Sequence, residues 1–90
     1  MSLRERLDEL DYPLSYPFKL VFAPRASLEA EIRTALTDLL GADRDWELSQ
    51  RPSRNGNYVA VTISLDVRSA AETESLHRAL AGIPGLMVSL

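Results

Sequence analysis

From Asn57 to Val67, the side chains Val59, Val61, Ile63, Leu65 and Val67 alternate with Tyr58, Ala60, Thr62, Ser64 and Asp66. Successive strand residues point to opposite faces of a sheet, so this alternation specifies a strand dry on one side and wet on the other. Such a strand belongs to a sheet with one covered face and one open face. The chain has 90 residues, enough for one domain. The elements that cover the dry face must therefore lie in the same small domain.

Two segments have the pattern to do so. In Ser27–Leu40, Leu28, Ile32, Ala35, Leu36 and Leu39 form one helical stripe. Ser27 stands at the N-cap position, Glu29 and Glu31 favour the positive end of the helix dipole, and Gly41 suits a left-handed C-terminal stop. In Ser69–Ala81, Ser69 and Glu72 form a capping box, Leu76, Ala79 and Leu80 face inward, and Gly82 with Pro84 ends the helix. Three more strands are predicted. Tyr16–Phe22 carries Pro17 near its start, Asp45–Arg51 is sparse in apolar residues and reads as an edge, and Leu86, Val88 and Leu90 alternate with Met87 and Ser89 in the last. Asn55-Gly56 is a strong hairpin signal, because both residues accept positive φ.

The order strand, helix, strand, strand, helix, strand is the ferredoxin-like βαββαβ arrangement of an α+β protein. Right-handed crossovers then place two helices on one face of a four-stranded antiparallel sheet. Residues 15–90 form this single domain. Residues 1–14 are a lead-in whose Ser2–Leu10 stretch has leucines at helical spacing and a Ser2/Glu5 capping box; it docks on the domain or frays.

Composition narrows the function. Ten basic and thirteen acidic residues give a net charge of −3. A dedicated nucleic-acid binder gains affinity by neutralising phosphates, so this balance argues against nucleic acid as the partner. The absence of cysteine removes disulfides and thiolate metal sites. The N-terminus is too charged for a signal peptide and no run reaches a membrane span, so a soluble cytoplasmic protein is expected.

Candidate chemistry is sparse. His77, the one histidine, flanks the second helix stripe and lacks the partners of a triad or a metal site. Asp43, Asp45 and Glu47 are interrupted by Arg44 and read as a solvated edge. Ser27 beside Arg25 starts a helix and could hold a phosphate or carboxylate, as any helix start could. The sharper candidates are Arg51, Arg54 and Asn55 at the hairpin, with Tyr58 just after it, since loops carry function more often than scaffolds do. Lys19, Val21, Tyr58, Ala60, Thr62 and Met87 should share the open sheet face. RNA recognition on such a face uses paired aromatics, and only Tyr58 qualifies.

Several stretches also resemble a known family. Tyr16-Pro17-Phe18-Lys19-Leu20-Val21 is similar to its first strand, Arg51-Pro52-Ser53-Arg54-Asn55-Gly56-Asn57-Tyr58-Val59-Ala60-Val61-Thr62 to its hairpin and following strand, and Met87-Val88-Ser89-Leu90 to its ending. These resemble the YbeD-like proteins, small bacterial domains of unknown function, over about residues 11–90. The resemblance implies a ferredoxin-like fold comparable to the ACT regulatory domain, with no established catalytic activity. ACT domains usually place a glycine before the first helix; this chain has Ala23-Pro24-Arg25-Ala26 there, so no amino-acid site is carried over.

The expectation is a non-catalytic binding or regulatory module without cofactor or metal. Its candidate binding residues are Arg51, Arg54, Asn55, Tyr58 and Lys19. Its partner would be a protein or a small anionic ligand, and a homodimer is a further candidate. The alternative is an ACT-like small-ligand sensor, expected to be a dimer.

Overall fold

The computed structural model describes residues 12–89. The predicted Ser2–Leu10 helix and the inward position of Leu90 lie outside the described residues. The elements run β1 (Leu14–Phe22), α1 (Leu28–Leu40), β2 (Trp46–Pro52), β3 (Val59–Val67), α2 (Ala70–Ala81) and β4 (Leu86–Ser89). The strands form one antiparallel sheet in the order β2-β3-β1-β4. This is the expected α+β, ferredoxin-like arrangement.

The β3 alternation sets which face is dry. Val61, Ile63, Leu65 and Val67 are buried, and Phe18, Leu20 and Phe22 of β1 stand beside them in register. Leu28, Ile32 and Leu36 of α1 and Leu76 and Leu80 of α2 close the same core cluster. Both helices therefore cover one face. Burying each such side chain contributes about 1.5–3 kcal/mol, which makes this layer the main source of stability.

Local details depart from the sequence pattern in five places. β1 starts before Tyr16, so Pro17 sits inside it rather than near its start. The strand tolerates it because Ala23 N–H, of the same parity, points to the β4 side, and β4 pairs only with Leu20, Val21 and Phe22. The donor that proline lacks would have met no described strand there. Leu39 has the right angular position but is exposed, and Leu40 packs on the core in the last turn instead. The Gly41 amide donates to Thr37 O, yet its φ of 87° and ψ of 166° are not those of a left-handed helical stop. Gly82, in turn, is right-handed.

The largest change is in β4. Val21 pairs with Val88, but the next residue, Phe22, pairs with Leu86. Met87 is thus the extra residue of a β-bulge, which shifts the pleat by one position. Val88 does not alternate inward with Leu86. It lies opposite Val21 on the open face, where Val88 and Met87 are 45% and 59% exposed.

Candidate functional site

The hairpin between β2 and β3 is built on Ser53. Its amide donates to Tyr58 O at 2.8 Å, and its hydroxyl accepts from Tyr58 N at 3.1 Å. The Gly56 amide returns to Ser53 O at 3.0 Å, with Gly56 at φ 71°. Asn55 does not share that positive φ, so the expected pair of left-handed residues is replaced by a tight turn ending in one left-handed glycine. Ser53 is the residue that reading the motif for charge passes over. A serine at the base of a loop, able to bond its own backbone, was the available signal. Arg54 and Asn55 occupy the exposed tip it closes.

The sheet register continues the site. Arg51 of β2, Ala60 of β3, Val21 of β1 and Val88 of β4 form one row across the open face. Ser49, Thr62 and Lys19 form the next. Arg51 and Lys19 therefore share a face, their Cα atoms about 12 Å apart from strand and residue spacings. Tyr58, 46% exposed, extends the same alternation beyond Ala60. The structure thus gathers Arg51, Tyr58 and Lys19 on one side, with Arg54 and Asn55 on the adjoining tip.

These cations, together with Arg68 at the far end of β3, differ from the other described ones. Arg25 grips Glu31, with Nη1–Oε2 at 2.9 Å and Nη2–Oε1 at 3.0 Å, and donates to Pro84 O. Arg33 lies 3.7 Å from Glu29 and stacks over Trp46, Arg44 forks onto Glu72 with both contacts at 2.8 Å, and Arg78 pairs with Glu74. Lys19, Arg51 and Arg54 form no ion pair or side-chain hydrogen bond with any described residue.

The remaining candidates acquire plain structural roles. The start of α1 already holds a carboxylate, since Ser27 Oγ donates to Glu31 Oε2 at 3.3 Å while Arg25 clamps the same group. Ser69 caps α2 by accepting from Glu72 N, but the Glu72 carboxylate reaches Arg68 N rather than completing the box on Ser69. That carboxylate is held below its ordinary range, first by the Arg44 hydrogen bond. Arg44, which interrupts the acidic run in sequence, also donates to Asp66 O and so ties the loop after α1 to α2. His77 is half-buried against Phe18, with Nε2 3.2 Å from the Tyr16 hydroxyl, and burial lowers its pKa. Among the described residues, no group of three histidine, aspartate or glutamate side chains could hold a metal. No helix among them is long and apolar enough to cross a membrane.

Two shallow depressions lie at the other end of the sheet. One, about 230 Å³, is lined by Ser15, Asp45, Trp46, Glu47, Ser64, Leu65 and Asp66. The other, about 320 Å³, adjoins it between Asp43, Arg44, Asp66 and Arg68.

Fold and surface together define a small ferredoxin-like domain with one open sheet face. A family described as "Protein of unknown function (DUF493)" matches residues 8–90, and the chain belongs to it. Its relatives are UPF0250 proteins, the YbeD family of small bacterial proteins. One from Shewanella piezotolerans is 33% identical over 85 residues, covering 93% of this chain and 94% of that one. Another from Idiomarina loihiensis is 32% identical over 81 residues, covering 89% and 90%. The solution structure of Helicobacter pylori protein HP0495 superposes with a TM-score of 0.75 at 13% identity, covering 90% of this chain and 85% of that one, a likeness of fold. No catalytic family is evident among these matches.

Proposed function

We propose that the protein is a non-catalytic binding module that presents its basic hairpin and the adjoining end of the open sheet face to an acidic surface of another macromolecule. The observation that carries this reading is the division among the cations. Four arginines are held by helix glutamates, whereas Lys19, Arg51, Arg54 and, at the far end of β3, Arg68 have no side-chain partner among the described residues; three of these four lie at the hairpin or on the sheet face beside it. Exposed charge speeds encounter and selects partners by sign. Tyr58, Val88 and Met87 add exposed apolar area beside that charge, the combination of aromatic and arginine that dominates many interfaces. A protein surface suits this broad, open arrangement better than a small ligand, which needs a concave pocket.

The test is affinity capture from extract of the native cells, with the Arg51→Ala/Arg54→Ala double variant as the control. A specific protein retained by the natural chain and lost by the variant supports the reading. Equal retention by both removes the hairpin from it. A thermal-shift screen with amino acids, nucleotides and organic acids runs beside it. A marked rise in melting temperature would redirect the reading to a ligand sensor, because a ligand that binds only the folded state stabilises it.

A further inference from the structure

The open face is basic at its hairpin end and mainly acidic at the other, where Asp45, Glu47 and Asp66 outnumber Arg68. Among the described residues, Arg51 stands without a partner in the row nearest the hairpin, and Asp45 stands without one at the far end, in the 230 Å³ depression that also takes in Glu47 and Asp66; Lys19 and Glu47, without partners there as well, lie in the two rows between. Beside Lys19 and Glu47, these two inner rows carry the small hydroxyl side chains Ser49, Thr62 and Ser64. We propose that this face docks on a second copy of the chain in a two-fold, strands-antiparallel arrangement, the basic end of each copy over the acidic end of the other. The inference rests on reading the open face as a binding surface and names the partner that fits both of its ends.

The register makes the match specific. A two-fold axis between the sheets, perpendicular to the strands and level with Ile63, inverts the order of rows. Arg51 then lies over the partner's Asp45, and Ser49 over the partner's Glu47. Thr62 lies over the partner's Ser64. Continuing the β3 alternation by one step at each end sets Tyr58 over the partner's Arg68, a cation over an exposed ring. Stacked sheets lie about 10 Å apart and cross at about 30°, within reach of an arginine facing two carboxylates on the neighbouring strand. The small central side chains permit that approach, and their hydroxyls suit a wet interface. An acidic partner would satisfy the basic end only; a second copy joins Arg51 to Asp45 at both ends, twice. The contact is small, about 450 Å² per copy from strand number and length, below the roughly 800 Å² of a standard interface, so the dimer is weak and salt-sensitive.

Sedimentation equilibrium of the full chain from micromolar to millimolar concentration tests this, at low and high salt. The expected result is a concentration-dependent dimer at low salt whose Kd rises at least tenfold in high salt. Arg51→Glu and Asp45→Arg should each raise Kd about tenfold or more, since two equivalent pairs become repulsive. Mixing the two variants should restore dimer, because every pair in the heterodimer is again opposite in sign. Circular dichroism melts of each variant exclude loss of fold as the cause. A chain that stays monomeric at millimolar concentration overturns the proposal, as does a dimer indifferent to both reversals. Either result leaves the capture of a different acidic protein by Arg51 and Arg54 to stand or fall by its own experiment.

Discussion

The charges around the helices and those on the open sheet face follow different rules. Arg25, Arg33, Arg44 and Arg78 each pair with a glutamate carried by a helix, and two of these pairs tie a loop down as well. On the sheet side, Arg51 is separated along the strands from Glu47 by about 14 Å and from Asp45 by about 20 Å, and Lys19 lies two strands away from Glu47, their Cα atoms about 12 Å apart; none of these pairs is joined. The first set is spent on holding the fold together. The second has no partner among the described residues. The same division runs through β3, whose inward residues are dry and whose outward residues are small and polar.

The sharpest way to break this comparison is through the dry face. Phe18→Ala, at a residue 1% exposed, should destabilise the protein by about 3–5 kcal/mol in chemical denaturation. Thr62→Ala, across the sheet from it, should change stability by less than about 0.5 kcal/mol. Comparable losses at both sites would mean that the open face is covered in the folded protein.

The helix-side pairs come next. Arg44 and Glu72 are 12% and 20% exposed and joined by two hydrogen bonds, so Arg44→Ala should cost about 1–3 kcal/mol. Arg51→Ala, exposed and unpaired, should cost almost nothing on the same denaturation curve.

Acid titration separates the groups further. Burial lowers the His77 pKa from its ordinary 6.5, so the unfolded chain takes up this proton first. Stability should begin to fall as the pH drops below about 6.5 and stop falling from this cause below the folded-state value. Glu72 is also lowered, from an ordinary 4.5, by Arg44. Its contribution is present above that value and is lost as the pH falls through the folded-state pKa below it. His77→Gln should remove the upper window and Glu72→Gln the lower one, read as melting temperature against pH. The smallest expected effect is that of Arg54→Ala at the hairpin tip, within about 0.5 kcal/mol on stability, with its consequence confined to partner binding.

The legibility of these features in the sequence followed their range. The β3 alternation, the two helix stripes and the Ser69 cap depend on neighbours a few residues apart, and the structure places them as the pattern predicts. So does the hairpin, although its turn uses the left-handed conformation at Gly56 alone. Arg44 shows what local pattern misses. Between Asp43 and Asp45 it reads as an interruption, and its partner Glu72 is fixed only once α2 is laid beside the loop. The candidate site was half visible. The charges of Arg51 and Arg54 and the place of Lys19 and Tyr58 on the open face could be seen, but not that Arg51 joins that face or that Arg25, Arg33, Arg44 and Arg78 are held by glutamates.

Periodicity and turn chemistry, read from the chain alone, determined the element order, the dry and wet faces and the position of the basic hairpin, because side-chain direction repeats every two residues in a strand and about every 3.6 in a helix. The tertiary structure alone decided the β4 bulge that turns Val88 outward, the pairing of Arg25 and Arg44, and the half-buried contact of His77 with Tyr16. Each of these depends on which distant segments meet, and strand register and side-chain partnership across such distances are settled by packing rather than by any repeat along the chain.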